Sequence, residues 1–194
     1  MIKDRVFSGA KLGFIGVGNM GGALVRAARK NTPSTAICVA NRSPEKAKAL
    51  ADEIPCRVKS NAEIAAWADY IVLGVKPQMM GALLAEIGPE LSARKDRFVL
   101  VSMAAGLSIA DIQEMAGGSY PVLRIMPNTP CSIGEGMALY TSGPGVTGDE
   151  ERIFLEAMAG AGRFSPIPEA LMDAGSAVAG CGPAFVDLFV EALA

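Results

Sequence analysis

The sequence predicts an α/β protein, with a mostly parallel β-sheet covered by helices on both faces and a helical segment near the carboxyl end. Short apolar runs alternate with helix-forming runs along most of the chain, which is the order of a parallel sheet and its crossover helices. The strand runs are apolar throughout, as expected for a sheet that is buried on both faces. From about Pro168 the pattern is only helical.

The predicted elements follow one another at short intervals. The first strand begins at Lys11 and the first helix covers 22–30. The later strands are predicted at 35–40, near 58, at 69–75, 98–101, 120–126 and 136–140 and, as an edge strand, at 162–167. The helices between them are predicted at 45–54, at 61–68, from 77 fading by 88, at 108–115 and at 149–161. The last helical run is predicted to be interrupted at 180–183.

Composition limits the chemistry that is available. The 194 residues carry a net charge of −2 without a basic cluster, so neither nucleic acid nor an anionic membrane surface is an expected partner. The chain has no histidine, which removes Ser–His–Asp and Cys–His mechanisms and histidine metal sites, and no metal is expected. No apolar run reaches the roughly 20 residues that span a bilayer. The cysteines lie far apart and no signal peptide precedes them, so we expect reduced thiols and a cytoplasmic protein.

Three glycines near the amino terminus carry the first functional signal. Gly16, Gly18 and Gly21 are spaced G-x-G-x-x-G between an apolar run and a helical run, the arrangement that binds a dinucleotide pyrophosphate. Gly16 permits a tight turn, Gly18 lets the backbone approach the phosphates, and Gly21 lets helix and strand pack closely. The free N–H groups at the helix start then face the anion. The alternative is an incidental tight turn, because the pattern is short.

The end of the second predicted strand selects the cofactor. NAD-binding domains usually carry Asp or Glu there, but this chain has Asn41, Arg42 and Ser43. Asn and Ser can donate to phosphate oxygens, and Arg42 supplies charge and a planar fork of donors. The sequence therefore predicts NADP(H) over NAD(H). The alternative for Arg42 is a solvated surface arginine.

Three later strands also end in small or polar residues. Lys76 follows the strand at 69–75 and is placed to approach a ribose or phosphate, although Lys76 and Pro77 also suit a plain helix start. The small residues at 102–106 would let a flat ring approach the backbone. Two prolines stiffen the loop around Asn128 and Thr129, which is placed to wall a nicotinamide.

Together these segments resemble the pyrroline-5-carboxylate reductase family from Lys11 to the end of the chain. The resemblance lies in F-I-G-V-G-N-M at 14–20, N-R-S at 41–43, V-K-P-Q at 75–78, M-A-A-G at 103–106, M-P-N-T-P at 126–130, G-C-G-P-A-F at 180–185 and F-V-E-A-L at 189–193. The M-P-N-T-P and G-x-G-P-A segments are much more specific than the glycine pattern.

The resemblance implies a Rossmann-type, doubly wound NADP-binding domain at 1–167 and the beginning of an all-helical dimerisation domain at 168–194. It also implies NADPH-dependent reduction of 1-pyrroline-5-carboxylate to L-proline, in a homodimer or larger ring. Hydride would pass to a protonated cyclic imine, so no catalytic side chain is required. Glu169 matches a position near the substrate, and Asn128 and Thr129 are further substrate-side candidates. The cofactor residues implied are Gly16, Val17, Gly18, Asn19, Met20, Gly21, Asn41, Arg42, Ser43, Asn61, Val75, Lys76, Pro77, Met103, Ala104 and Ala105.

The chain also departs from the family. Cys181 and Phe185 stand where relatives usually carry Ser and Tyr, and the chain ends before a Gly-x-Thr segment that helps to hold the substrate carboxylate. We expect the natural protein to continue beyond Ala194. A chain truncated there that acts only as a non-catalytic NADP(H)-binding module should bind cofactor but be inactive and poorly dimeric. The alternative is a short natural protein whose last helix docks on its own domain.

Two other functional interpretations share the glycine loop. The β-hydroxyacid dehydrogenase and imine-reductase group typically has a lysine on a later helix, after a Gly-x-Gly pattern, where this chain has Pro183. A non-catalytic NADP(H)-binding module would need only the cofactor residues.

Overall fold

One eight-stranded sheet organises the chain in the computed structural model, which describes residues 9–194. The strands lie in the order β3-β2-β1-β4-β5-β6-β7-β8, and only the β6–β7 pair is antiparallel. Their bounds are β1 Leu12–Ile15, β2 Ile37–Ala40, β3 Arg57–Val58, β4 Tyr70–Leu73, β5 Val99–Ser102, β6 Val122–Met126, β7 Gly136–Ser142 and β8 Gly162–Pro166. The predicted mostly parallel α/β fold is confirmed, and β8 is an edge strand as expected.

Seven α-helices accompany the sheet over the described residues. They are α1 Asn19–Arg29, α2 Pro44–Glu53, α3 Asn61–Trp67, α4 Pro77–Ala93, α5 Ile109–Ala116, α6 Gly148–Met158 and α7 Met172–Leu193. Apolar residues of α1, α2 and α6 form one buried cluster with the sheet, and those of α3, α4 and α5 form a second. The strands β1, β2, β4, β5 and β6 are buried along their whole length between these clusters, which explains why their sequences are almost entirely apolar. The outer strands differ, since β3 is exposed and β8 is only partly buried.

The helices differ in how they begin. Ser60, Ser108 and Thr147 cap α3, α5 and α6, and each takes part in a complete capping box. Among the residues that the structure describes, no side chain caps the first turns of α1, α2 or α4. These three helices follow β1, β2 and β4, which are adjacent in the sheet. Their amino ends therefore lie along one stretch of its carboxyl edge.

Two helices run further than the sequence predicts. α4 was expected to fade by Gly88 but reaches Ala93 and includes Pro89. Ile87 and Leu91 are both buried, so the apolar face of the helix continues past the proline. α7 was expected to be interrupted at 180–183, but it is continuous through Pro183.

The expectation that no segment could span a bilayer is wrong by length and composition. The helical run Glu169–Leu193 has 25 residues and a mean hydropathy of 1.4 in its most apolar window. A helix enclosed by other helices passes the same test, so length and apolarity alone assign no membrane role.

Candidate functional site

Five loops meet along the carboxyl edge of the sheet. They follow β2, β1, β4, β5 and β6, which are neighbours in that order and all point the same way. The chain crosses from one half of the sheet to the other between β1 and β4, the point where open α/β sheets bind ligands. The strand-end residues predicted from the sequence as cofactor contacts are thus brought together here.

The glycine loop after β1 is held by close backbone packing. Gly16 has φ +95° and its N–H donates to the Ala40 carbonyl at 2.8 Å. A Cβ on Gly16 would lie 2.6 Å from the carbonyl carbon of Gly74, and one on Gly21 would lie 2.1 Å from the Gly16 oxygen. Only glycine fits at these two positions, so the loop keeps α1 pressed against the ends of β1 and β4.

The outer side of the same loop is open. Gly18 is exposed at the start of α1, and a Cβ added there would meet no protein atom within 4 Å. The first turn of α1, which includes Asn19 and Met20, carries no acidic residue, and its N–H groups have no partner one turn earlier. An uncapped helix start beside an open glycine is suited to bind an anion such as a pyrophosphate.

Three side chains in the segment after β2 have different surroundings. The Asn41 side-chain oxygen accepts from the Val17 N–H at 3.1 Å, and its amide nitrogen donates to the Ser43 carbonyl at 3.2 Å. Asn41 therefore ties this segment to the glycine loop. Arg42 is exposed beside it, and the hydroxyl of Ser43 makes no capping bond to α2 within the described structure. These two side chains are available to a ligand phosphate.

The candidates around β4 lie in different settings. Lys76 is exposed and directly precedes Pro77, the first residue of α4, while Val75 is half-buried against the second cluster. Asn61 directs its amide nitrogen to both carboxylate oxygens of Glu86 at 3.1 Å. Lys76 and Val75 lie directly after β4 at the common edge, whereas the Asn61 amide is engaged with α4.

Small residues follow β5. Ala104 is buried, Met103 is half-buried and Ala105 is exposed. The Ala104 N–H lies 3.4 Å from the hydroxyl of the buried Ser102. The small side chains of Ala104 and Ala105 leave room for a flat ring at this edge.

A buried arginine is the main polar feature that the sequence analysis did not assign to the site. Arg124 lies in β6 and is only 3% exposed. Its guanidinium is 3.0 Å from an Asp173 carboxylate oxygen and 3.6 Å from Glu169 Oε1. The same Glu169 oxygen accepts from the Ile109 N–H at 2.7 Å. A charged residue within the apolar strand V-L-R-I-M was the signal that could have identified it.

Asn128 is committed to contacts within the protein. It is 7% exposed, its oxygen accepts from the Met137 N–H at 3.0 Å, and its nitrogen donates to the Ala179 carbonyl at 3.0 Å. Thr129, by contrast, is exposed at the start of a short 3-10 turn. Of the two loop candidates, only Thr129 presents its side chain to solvent.

Two of the four cysteines are buried, and Cys181 is exposed on α7. All four are unpaired, and burial raises the pKa of the Cys38 and Cys131 thiols. A raised pKa keeps a thiol protonated and unreactive near neutral pH.

The fold and this edge define a dinucleotide-binding oxidoreductase domain. A sequence model of the family described as NADP oxidoreductase, coenzyme F420-dependent, matches residues 11–106. A pyrroline-5-carboxylate reductase from Corynebacterium melassecola is 37% identical over 183 residues, covering 92% of this chain and 67% of the relative. The chain therefore belongs to the pyrroline-5-carboxylate reductase family.

Solved structures agree with this assignment. The NADP-bound pyrroline carboxylate reductase of Plasmodium falciparum superposes with a TM-score of 0.84 at 33% identity, over 97% of this chain and 69% of that one. The Coxiella burnetii pyrroline-5-carboxylate reductase superposes with a TM-score of 0.88 at 28% identity, over 96% and 69%. This chain spans about two thirds of the length of these relatives.

Proposed function

We propose that this chain binds NADPH at the carboxyl edge of the sheet and serves the reduction of 1-pyrroline-5-carboxylate to L-proline. The observation that carries the proposal is the uncapped start of α1 beside Gly18, where a pyrophosphate meets N–H donors and no side chain. Family membership supplies the substrate and the reaction class.

The preference for NADPH over NADH rests on the segment after β2. The exposed guanidinium of Arg42 and the uncommitted hydroxyl of Ser43 would bind the 2′-phosphate, and neither residue is an acid that would repel it. Arg42→Ala should weaken NADPH binding by about 10–100-fold, the worth of a hydrogen bond to a charged group. NADH binding should change little.

Fluorescence titration with each cofactor tests this preference. Lys46→Ala is a matched control, because Lys46 is an exposed cation one turn further along the chain. Equal loss of NADPH and NADH affinity in Arg42→Ala, or the same loss in Lys46→Ala, would contradict a specific phosphate contact.

In the proposed reaction NADPH supplies a hydride to the carbon of a protonated cyclic imine. The imine already carries its proton, so no side-chain acid has to deliver one. The chain's part is to orient the two reactants, with the small side chains of Ala104 and Ala105 leaving room for a flat ring. The Glu169 carboxylate, held by Ile109 and Arg124, would place negative charge near the cationic imine.

We further propose that residues 1–167 form the NADP-binding domain and that 168–194 begin a helical domain used for dimerisation. The second part of this proposal draws on α7, whose large side chains Val178, Phe185, Val186, Leu188, Phe189, Val190 and Leu193 are exposed. A cytoplasmic location is consistent with the four unpaired cysteines.

A paired measurement tests the function. NADPH binding is followed by fluorescence, and oxidation of NADPH by 1-pyrroline-5-carboxylate is followed by absorbance with the same preparation. Failure to bind NADPH would refute the cofactor site. Binding without turnover would favour the second candidate, an NADP(H)-binding module. The observation that favours this candidate is the apolar surface of α7, which is exposed although the cofactor edge of the sheet is formed.

A further inference from the structure

The helix α7 contains a proline in its interior and yet does not break. Proline has no N–H, so the carbonyl four residues earlier loses its helical donor. In α7 that proline is Pro183 and the carbonyl belongs to Ala179. A backbone carbonyl without a donor normally takes water, a side chain or a ligand.

Asn128 supplies the missing donor. Its amide nitrogen lies 3.0 Å from the Ala179 oxygen, although the two residues are 51 positions apart in the sequence. The other end of the same amide accepts from the Met137 N–H in β7 at 3.0 Å. A single buried side chain thus connects the loop after β6, the strand β7 and the point of α7 where a helical hydrogen bond is absent.

We propose that Asn128 is a positioning residue, and that its bond to the Ala179 carbonyl fixes residues 180–183 of α7 against the carboxyl edge of the sheet. This inference rests on the proposed function for its catalytic consequence. It assigns Asn128 a different role from substrate contact, because the side chain is buried and both ends of its amide are engaged. The bond also links the M-P-N-T-P and G-C-G-P segments. Asn128 of the first segment donates to the carbonyl that Pro183 of the second leaves without a helical donor.

A double-mutant cycle tests the bond itself. Asn128→Ala removes the donor, and Pro183→Ala restores an N–H that can bond to Ala179 within the helix. In the unsubstituted background, Asn128→Ala should accelerate hydrogen exchange of the amides at 180–182 and 184–187 by about tenfold, as expected for a carbonyl left without its donor. In the Pro183→Ala background the acceleration should fall to about twofold or less, because the carbonyl then has a helical donor.

Two controls separate this effect from general destabilisation. Amides of β1 should keep their exchange rates, because β4 and β5 separate β1 from β6 and the loop that carries Asn128. Asn128→Asp keeps an oxygen that can accept from Met137 but loses the N–H donor, so it should accelerate exchange in α7 as Asn128→Ala does. It also serves as the test if Asn128→Ala does not fold. Ser132→Ala, an exposed change in the same loop, should leave α7 unaffected.

Equal acceleration in both backgrounds, or none in either, would overturn the proposal. The catalytic part is tested by turnover: Asn128→Ala should lower kcat with 1-pyrroline-5-carboxylate by about tenfold and leave the NADPH Kd within about twofold, and Pro183→Ala should restore part of the loss. Unchanged kcat would refute a positioning role. Absence of turnover in the unsubstituted chain would count against the proposed function, and the exchange cycle alone would then decide whether the bond holds α7.

Discussion

Replacing Gly21 with alanine would place a Cβ 2.1 Å from the carbonyl oxygen of Gly16. Gly16 cannot move away freely, because it lies against the backbone of Gly74. Overpacking lowers the free energy of unfolding by about 1–3 kcal/mol. The added Cβ meets backbone and not a flexible side chain, so we expect a loss of about 3 kcal/mol. In a chain of this length each kcal/mol moves Tm by about 2–4 °C, so Gly21→Ala should lower Tm by about 6–12 °C.

Gly18→Ala is the matched comparison. The added Cβ meets no protein atom within 4 Å, and the φ of −68° at Gly18 is accessible to alanine. Loss of glycine at this helix start should cost no more than about 1 kcal/mol. The methyl group would nevertheless stand on the open side of the loop that we propose for the pyrophosphate, so NADPH affinity should fall by about tenfold or more.

Thermal melting and NADPH titration of both variants give the decisive pair of values. Gly21→Ala should lower Tm, whereas Gly18→Ala should weaken NADPH binding while its Tm stays close to that of the parent. A Gly18→Ala protein that binds NADPH as tightly as the parent would refute the placement of the cofactor on this loop. A Gly21→Ala protein with unchanged Tm would refute the close backbone packing inferred for the turn.

Two further predictions concern charged groups. Arg124→Met should change the free energy of unfolding by less than about 1.5 kcal/mol, because the carboxylates it releases can be hydrated. The double change Glu169→Gln with Asp173→Asn leaves the guanidinium buried without a charged partner. It should therefore lower the free energy of unfolding, measured with denaturant, by about 3–5 kcal/mol. The hydrogen bond from Arg97 lowers the pKa of Glu150 to about 2, so the stability this pair provides is complete above about pH 4.5 and lost as pH falls toward 2. The stability difference between the parent and Glu150→Gln should therefore vanish over that interval in acid unfolding curves, and a difference independent of pH would contradict the ion pair.

The parts of the site that could be predicted from the sequence are those set by local backbone requirements. The glycine turn and the polar strand ends follow from spacing, since a parallel sheet brings the carboxyl ends of its strands to one edge. The role of Arg124 could not be predicted, because its partners Glu169 and Asp173 are far along the chain. The continuity of α7 could not be predicted either, because a proline such as Pro183 locally predicts a helix break. The donor that replaces its missing N–H comes from Asn128, which is distant in the sequence.

These long-range contacts also divide α7 into two halves with different roles. Met172 is fully buried, Asp173 meets Arg124 and the Ala179 carbonyl meets Asn128, so the first half belongs to the structure of the sheet. From Phe185 onward the large apolar side chains are exposed. Stability and NADPH affinity measured on this chain therefore report on the sheet and its loops. Under the proposed function, turnover should in addition respond to whether the exposed second half of α7 is covered, because that half continues directly from the segment that we propose Asn128 fixes.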